Sequence, residues 1–210
     1  MTPDIFPISL VSLAGSGVTL NELISTFSTS VKSSGCCTDR APSDSAELLP
    51  SGALAKKEYS VERSISLSKP RQEVFDYVKY LKNQNEFSVW AKIDPDMKME
   101  YRGTDASVGF VSAWDSPVKE AGKGEQEIIR IDEGKRIDYE IRFLKPMKST
   151  DNAFLAFESE NENTTKVTWG FYGKMKFPMN VMLLIMDMDK MLGKDLEGGL
   201  SNLKGILEKK

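Results

Sequence analysis

Apolar and polar residues alternate through most of the chain beyond residue 59, and the period of that alternation changes at marked points. In "EYSVERSISL", Tyr59, Val61, Ile65 and Leu67 recur as they would on a strand. The next stretch, "SKPRQEVFDYVKYLKN", shifts to helical spacing, with Val74, Phe75, Val78 and Leu81 on one side. It predicts a helix capped by Ser68 with Pro70 in its first turn. A second short helix is predicted over 84–90, broken by "DPD" at 94–96. Six strands are then predicted, over 97–102, 108–114, 119–131, 136–144, 150–158 and 165–174, separated by the turn formers "GTDAS", "DSP", "DEGK", "KPMKS" and "ENENT". Within them Ile137, Tyr139, Ile141 and Phe143 share one face, while Arg136, Asp138, Glu140 and Arg142 share the other. Val167, Trp169 and Phe171 behave alike. Such alternation predicts an antiparallel sheet with one wet and one dry face.

A dry face needs a cover, and only the last apolar stretch is long enough to supply one. The methionine-rich "KFPMNVMLLIMDMDKMLGKDL" opens a predicted helix running from Pro178 to about Leu207. On a helical wheel Val181, Ile185, Met188, Leu192, Leu196 and Leu203 fall together, opposite Lys190, Lys194, Glu197, Ser201 and Lys204. This is an amphipathic core helix, and Asp187 and Glu197 dilute the basic face that an interfacial anchor would need. Two carboxylates break the pattern. Asp189 projects near Leu196 and Leu207, and Asp195 projects near Leu184 and Met188. A carboxylate on a dry face must be paired or wet. Pairing with a sheet Arg or Tyr is the expectation for Asp195, and bordering a cavity is the alternative. The methionines fit core filling, and also the wall of an adaptable cavity.

Composition changes near residue 55. Before it, "STFSTSVKSSGCCTDRAPSDSAELLPSG" is rich in Ser, Gly and Pro without a period, as expected of linker or disorder over about 25–54. Only a short helix over 19–27 is expected ahead of it, with Thr19 as N-cap and Glu22 completing a capping box. Residues 1–54 are therefore an expected N-terminal extension, and 55–210 the ordered domain. No basic n-region precedes the first apolar residues and no run is apolar enough to span a bilayer, so a cytoplasmic location without a transmembrane segment is expected.

At 40% hydrophobic and 28% charged residues the 210-residue chain has a globular balance, and a formal charge of −3 argues against a nucleic-acid partner. Histidine is absent. That removes Ser-His-Asp and Cys-His nucleophile systems and histidine-ligated metals. The two cysteines, Cys36 and Cys37, are adjacent, which excludes a disulfide framework. "DPD" has no further ligands at metal-binding spacing, so it reads as a turn and no metal or cofactor is expected. Gly122 and Gly124 do not complete a dinucleotide fingerprint. Glu125 and Glu127 share a strand face, but Gln126 and Ile128 take the inner one, so the pair reads as solvated rather than as an acid/base couple.

Residues 59–208 resemble the SRPBCC superfamily, also described as START-like or Bet v 1-like, most closely its polyketide cyclase/dehydrase and lipid-transport branch. The resemblance is carried by "YSVERSISLSKPRQEVFDYVKYLKN", "WAKIDPDMK", "GTDASVGFVSAWDS", "GKGEQEI", "YEIRFLKP", "TKVTWGFYGKM" and "FPMNVMLLIMDMDKMLGKDLEGGLSNLK". It implies an α+β helix-grip fold: a curved antiparallel sheet of about seven strands wrapped around a long C-terminal helix, with two short helices after the first strand. Some relatives carry a hydrophobic anchor ahead of the domain, which residues 1–54 do not resemble. The superfamily's cavity between sheet and helix implies an apolar small molecule or lipid as partner. Inward strand positions and the helix nominate Tyr101, Trp114, Gln126, Tyr139, Phe143, Trp169, Met186 and Asp195 as ligand-binding, with Trp90 at the entrance. Binding, transport or sensing of such a molecule is the first expectation. A cyclase or dehydratase using Tyr139, Gln126 or Asp195 is the second, favoured by a perturbed Asp195 in an open cavity. A surface interaction module with a collapsed cavity is the third.

Overall fold

A computed structural model describes residues 58–174 and 187–209 of the chain. The predicted helix at 19–27, Cys36, Cys37 and the methionine-rich run through Met186 lie outside the described residues. Seven strands, β1 (Glu58–Leu67), β2 (Lys98–Arg102), β3 (Val111–Asp115), β4 (Lys123–Asp132), β5 (Arg136–Lys145), β6 (Ser149–Asn161) and β7 (Thr164–Lys174), form one curved sheet. Every pairing is antiparallel, in the order β1-β7-β6-β5-β4-β3-β2. Register shifts near Ile128 and Ser159 add the local bends that such bulges impose. Between β1 and β2 come α1 (Arg71–Val78), a 3-10 turn at Leu81–Asn83, α2 (Gln84–Phe87) and a 3-10 turn at Trp90–Lys92. The terminal helix α3 (Met188–Leu207) lies over β1 and β7 and against α2.

The alternation predicted for β5 holds. Ile137, Tyr139, Ile141 and Phe143 are all buried on the concave face, joined by Ala153, Leu155 and Phe157 of β6 and by Val167, Trp169 and Phe171 of β7. Leu192, Leu196, Leu200, Leu203 and Leu207 of α3 close on them. Each fully buried side chain of this size contributes about 1.5–3 kcal/mol. At the other end of the concave face α1 does the covering, with Phe75 edge-on to Phe157 at 5.4 Å. On the convex face Arg142 is ringed by Glu125, Glu127 and Glu140, and Arg102 adds a second pairing to Glu125. Burial tends to raise the Glu125 carboxyl, but the two arginines outweigh it and hold the group below its ordinary value.

Three local predictions are corrected. Ser68 does not cap α1: Pro70 itself occupies the N-cap position at ψ 144, and the Ser68 N–H donates to Glu208 at 2.7 Å. A proline forces the residue before it to be extended, so no helix can begin at 69. The second helix is shorter than 84–90 because Ser88 is extended, at ψ 132. The terminal helix is not one unbroken element through residue 187: Asp187 is non-helical, and its carboxylate accepts the Lys190 N–H at 3.0 Å to cap a helix that begins at Met188. Asp189 thereby falls in the first turn. It is exposed, not on the dry face, and a carboxylate there complements the helix N-terminus.

Candidate ligand cavity

Where α1 stops covering the concave face, the sheet and α2 leave a cavity of about 110 Å³. Its apolar wall is built by Ile141 and Phe143 of β5, Ala153 of β6, Trp169 and Phe171 of β7, and Met99 and Trp114 from the β2–β3 edge. Leu81, Trp90, Ile93 and Met97 close it from the segment between β1 and β2. All 3 tryptophans of the chain line it.

Glycines set two of those indoles. A Cβ at Gly124, directly across the β3–β4 ladder from Trp114, would lie 2.5 Å from the Trp114 ring. The Trp114 indole N–H donates to the Ala121 carbonyl at 3.0 Å, and the ring stands edge-on to Phe143. In α3 a Cβ at Gly199 would lie 2.5 Å from the Trp169 ring. Trp169 in turn meets Phe87 and Trp90 edge-on, with centroids 5.6 and 5.7 Å apart. Such aromatic pairs are worth about 0.5–1.5 kcal/mol beyond their buried area.

The polar lining is small and mostly uncharged. Gln126 of β4 donates to the Gln84 amide oxygen at 3.1 Å, and Gln84 donates back at 3.4 Å. Asn85, Ser88, Ser112 and Glu120 complete it. Next to the cavity, beyond the Ile141 and Phe171 positions, Asp151 is buried and accepts hydrogen bonds from Tyr59 and Ser149 at 3.0 and 3.1 Å. Burial raises the Asp151 carboxyl, against the pull of both donors, and raises the Tyr59 hydroxyl as well.

Of the residues nominated from sequence, Trp90, Trp114, Gln126, Phe143 and Trp169 come together around the cavity. Tyr101, Tyr139 and Asp195 are not among its lining, and Met186 lies outside the described residues. Tyr101 is 39% exposed, stacks on Phe110, and accepts a hydrogen bond from Asn85. Tyr139 is sealed in the core, its hydroxyl without a partner among the described residues. Asp195 is half-buried, and burial raises its carboxyl while the Trp90 indole N–H pulls it back. The two groups face each other without reaching hydrogen-bond geometry, which leaves the buried Trp90 N–H unpaired. Sequence reasoning missed Gln84, Ser88 and Ser112. Only Ser112 carried a signal, two residues before Trp114 on the same strand face. Among the described residues no cluster of His, Cys, Asp and Glu is arranged to hold a metal, and no helix is long and apolar enough to cross a membrane.

A curved antiparallel sheet closed over a long terminal helix, with short helices after the first strand, is a helix-grip α+β fold. No family model matches the chain, and no curated protein sequence matches it. Among solved structures it is similar in fold to protein CV1439 from Chromobacterium violaceum, at 12% identity and a TM-score of 0.50 over 71% of this chain and 96% of that one. Ara h 8.0201 matches at 15% identity and a TM-score of 0.49, over 73% of this chain and 99% of that one. The di-domain ARO/CYC BexL from the BE-7585A biosynthetic pathway matches at 15% identity and a TM-score of 0.49, over 70% of this chain and 49% of that one.

Proposed function

We propose that the protein binds an apolar small molecule or lipid in the cavity between sheet and helices, as a carrier or sensor. The observation that supports this reading is a space walled by aromatic, Met and Ile side chains that those side chains leave unfilled. A mainly apolar cleft with a few polar groups is the usual form of a small-molecule site, in which buried area supplies affinity and the polar groups supply orientation. The surface-module alternative calls for a collapsed cavity, and the cyclase alternative calls for a perturbed Asp195 within it. Asp195 is raised by burial but stands outside the lining. The test is native mass spectrometry of freshly purified protein followed by organic extraction. A reproducible extra mass, lost on Ala153→Phe within the wall, is expected. A bare polypeptide mass that stays bare with a panel of lipids and apolar aromatics would end the proposal.

A further inference from the structure

Resting on that reading, we infer that the cavity selects an uncharged apolar molecule carrying a hydroxyl or carbonyl oxygen, held at a polar corner made by Gln84, Ser88, Ser112 and Gln126. Gln126 of β4 lies directly across the ladder from Ser112 of β3. Opposite residues on one face of such a pair keep their Cβ atoms about 4.5–5.5 Å apart, so the two side chains share one spot on the concave surface. Gln84 opens α2 and Ser88 closes it, the Ser88 N–H donating to the Gln84 carbonyl at 2.8 Å. The reciprocal Gln84–Gln126 hydrogen bonds bring the helix and strand sides of the corner together.

The corner has unspent hydrogen-bonding capacity. A primary amide carries two N–H donors and two lone pairs, and the reciprocal pairing uses one of each on either glutamine. Ser88 and Ser112 are only 5% and 6% exposed, and both line the cavity. A serine hydroxyl both donates and accepts, so on the wall of a cavity it can pair with an oxygen of the occupant. The corner therefore offers donors and acceptors side by side and no charge, which suits an alcohol or carbonyl oxygen. An anion finds the opposite conditions. No Lys or Arg is among the described lining residues, and Glu120 is the one ionisable group there. A carboxylate would be desolvated without a cation to pair with.

The experiment titrates the full chain with decanol, the methyl ketone of equal length, decane, decanoate and decylammonium, following tryptophan fluorescence. Decanol and the ketone are expected to bind about tenfold or more tightly than either ion. Ser112→Ala and the near-isosteric Gln126→Met are expected to weaken decanol by about three- to tenfold each while leaving decane unchanged. If Gln126→Met fails to fold, Ser112→Ala carries the comparison alone. Decanoate or decylammonium binding more tightly than decanol overturns the inference, as does an equal loss for decane and decanol in the variants. Absence of binding by every compound to the wild-type chain overturns the ligand-binding reading itself.

Discussion

Arg63 on β1 grips Asp189 in the first turn of α3 with both ends of its guanidinium: Nη1 donates to Oδ1 at 2.9 Å and Nη2 to Oδ2 at 2.8 Å. Its Nε reaches Glu197 at 2.6 Å, two turns further along the helix. The guanidinium lies against Gly193, where a side chain would collide with it. A glycine in mid-helix thus lets one arginine strap the helix to the edge of the sheet. Hydrogen bonds from Arg63 hold the Asp189 carboxyl below its ordinary value.

Arg63→Lys is expected to lower the melting temperature, because one ammonium cannot reproduce a forked pairing. The carboxylates are exposed, so salt should screen the interaction and shrink the loss. Thermal unfolding of both proteins in low and high salt measures this. An identical loss in both would assign the effect to packing of the arginine stem.

Two glycines of α3 should respond in opposite directions to alanine. At Gly199 the new methyl meets the Trp169 ring, and overpacking typically costs about 1–3 kcal/mol, against about 1 kcal/mol gained in helix propensity. Nothing lies within 4 Å of a Cβ at Gly205, so Gly205→Ala should gain about 0.5–1 kcal/mol. Urea unfolding of the two variants checks the signs. Stabilisation by Gly199→Ala would show that Trp169 shifts freely.

Tyr139→Phe should raise stability by about 1 kcal/mol, since it removes a buried hydroxyl with no partner while keeping the ring. Ligand binding should be unaffected, because Tyr139 does not line the cavity. Equilibrium unfolding tests the first claim, and the decanol titration tests the second. A destabilised variant would reveal a bound water bridging the hydroxyl to the core.

Asp151 gives a pH signature. Burial raises its carboxyl in the folded state above the unfolded value, so the folded protein binds the proton more tightly there. Between those two values stability falls as pH rises, the reverse of a carboxylate held by a cation. Asp151→Asn should remove that decline. Subtracting its unfolding free energy from wild type across acidic to neutral pH isolates the effect from Glu125 and Asp189, whose carboxyls are lowered and contribute the opposite slope. A difference that grows with pH in favour of the wild type would contradict the assignment.

The strands were legible because alternation reports which face a side chain takes. It does not report where along the strand the cavity falls. Tyr139 and Phe143 share a face of β5, yet Phe143 lines the cavity and Tyr139 is sealed in the core. The Gln84–Gln126 pair joins residues 42 positions apart, and nothing local in either segment marks the other. The start of α3 was hidden for a simpler reason. Val181 and Ile185 continue the apolar period of the helix past Asp187, while the cap that sets its first turn is a single carboxylate.

The sheet order has a kinetic meaning. β1 is the first strand in the described chain, and its only strand neighbour is the last, so Ser64 meets Thr168 at 2.8 Å across a separation of 104 residues. The β2–β7 meander can grow hairpin by hairpin, but the β1–β7 seam waits until nearly the whole domain has emerged. Such long-range closure is entropically expensive and slows folding. It also makes β1 the dependent strand mechanically: its whole backbone ladder is made to β7, so cutting away β7 strips β1 of every strand partner, whereas cutting away β1 only turns β7 into the edge of the sheet.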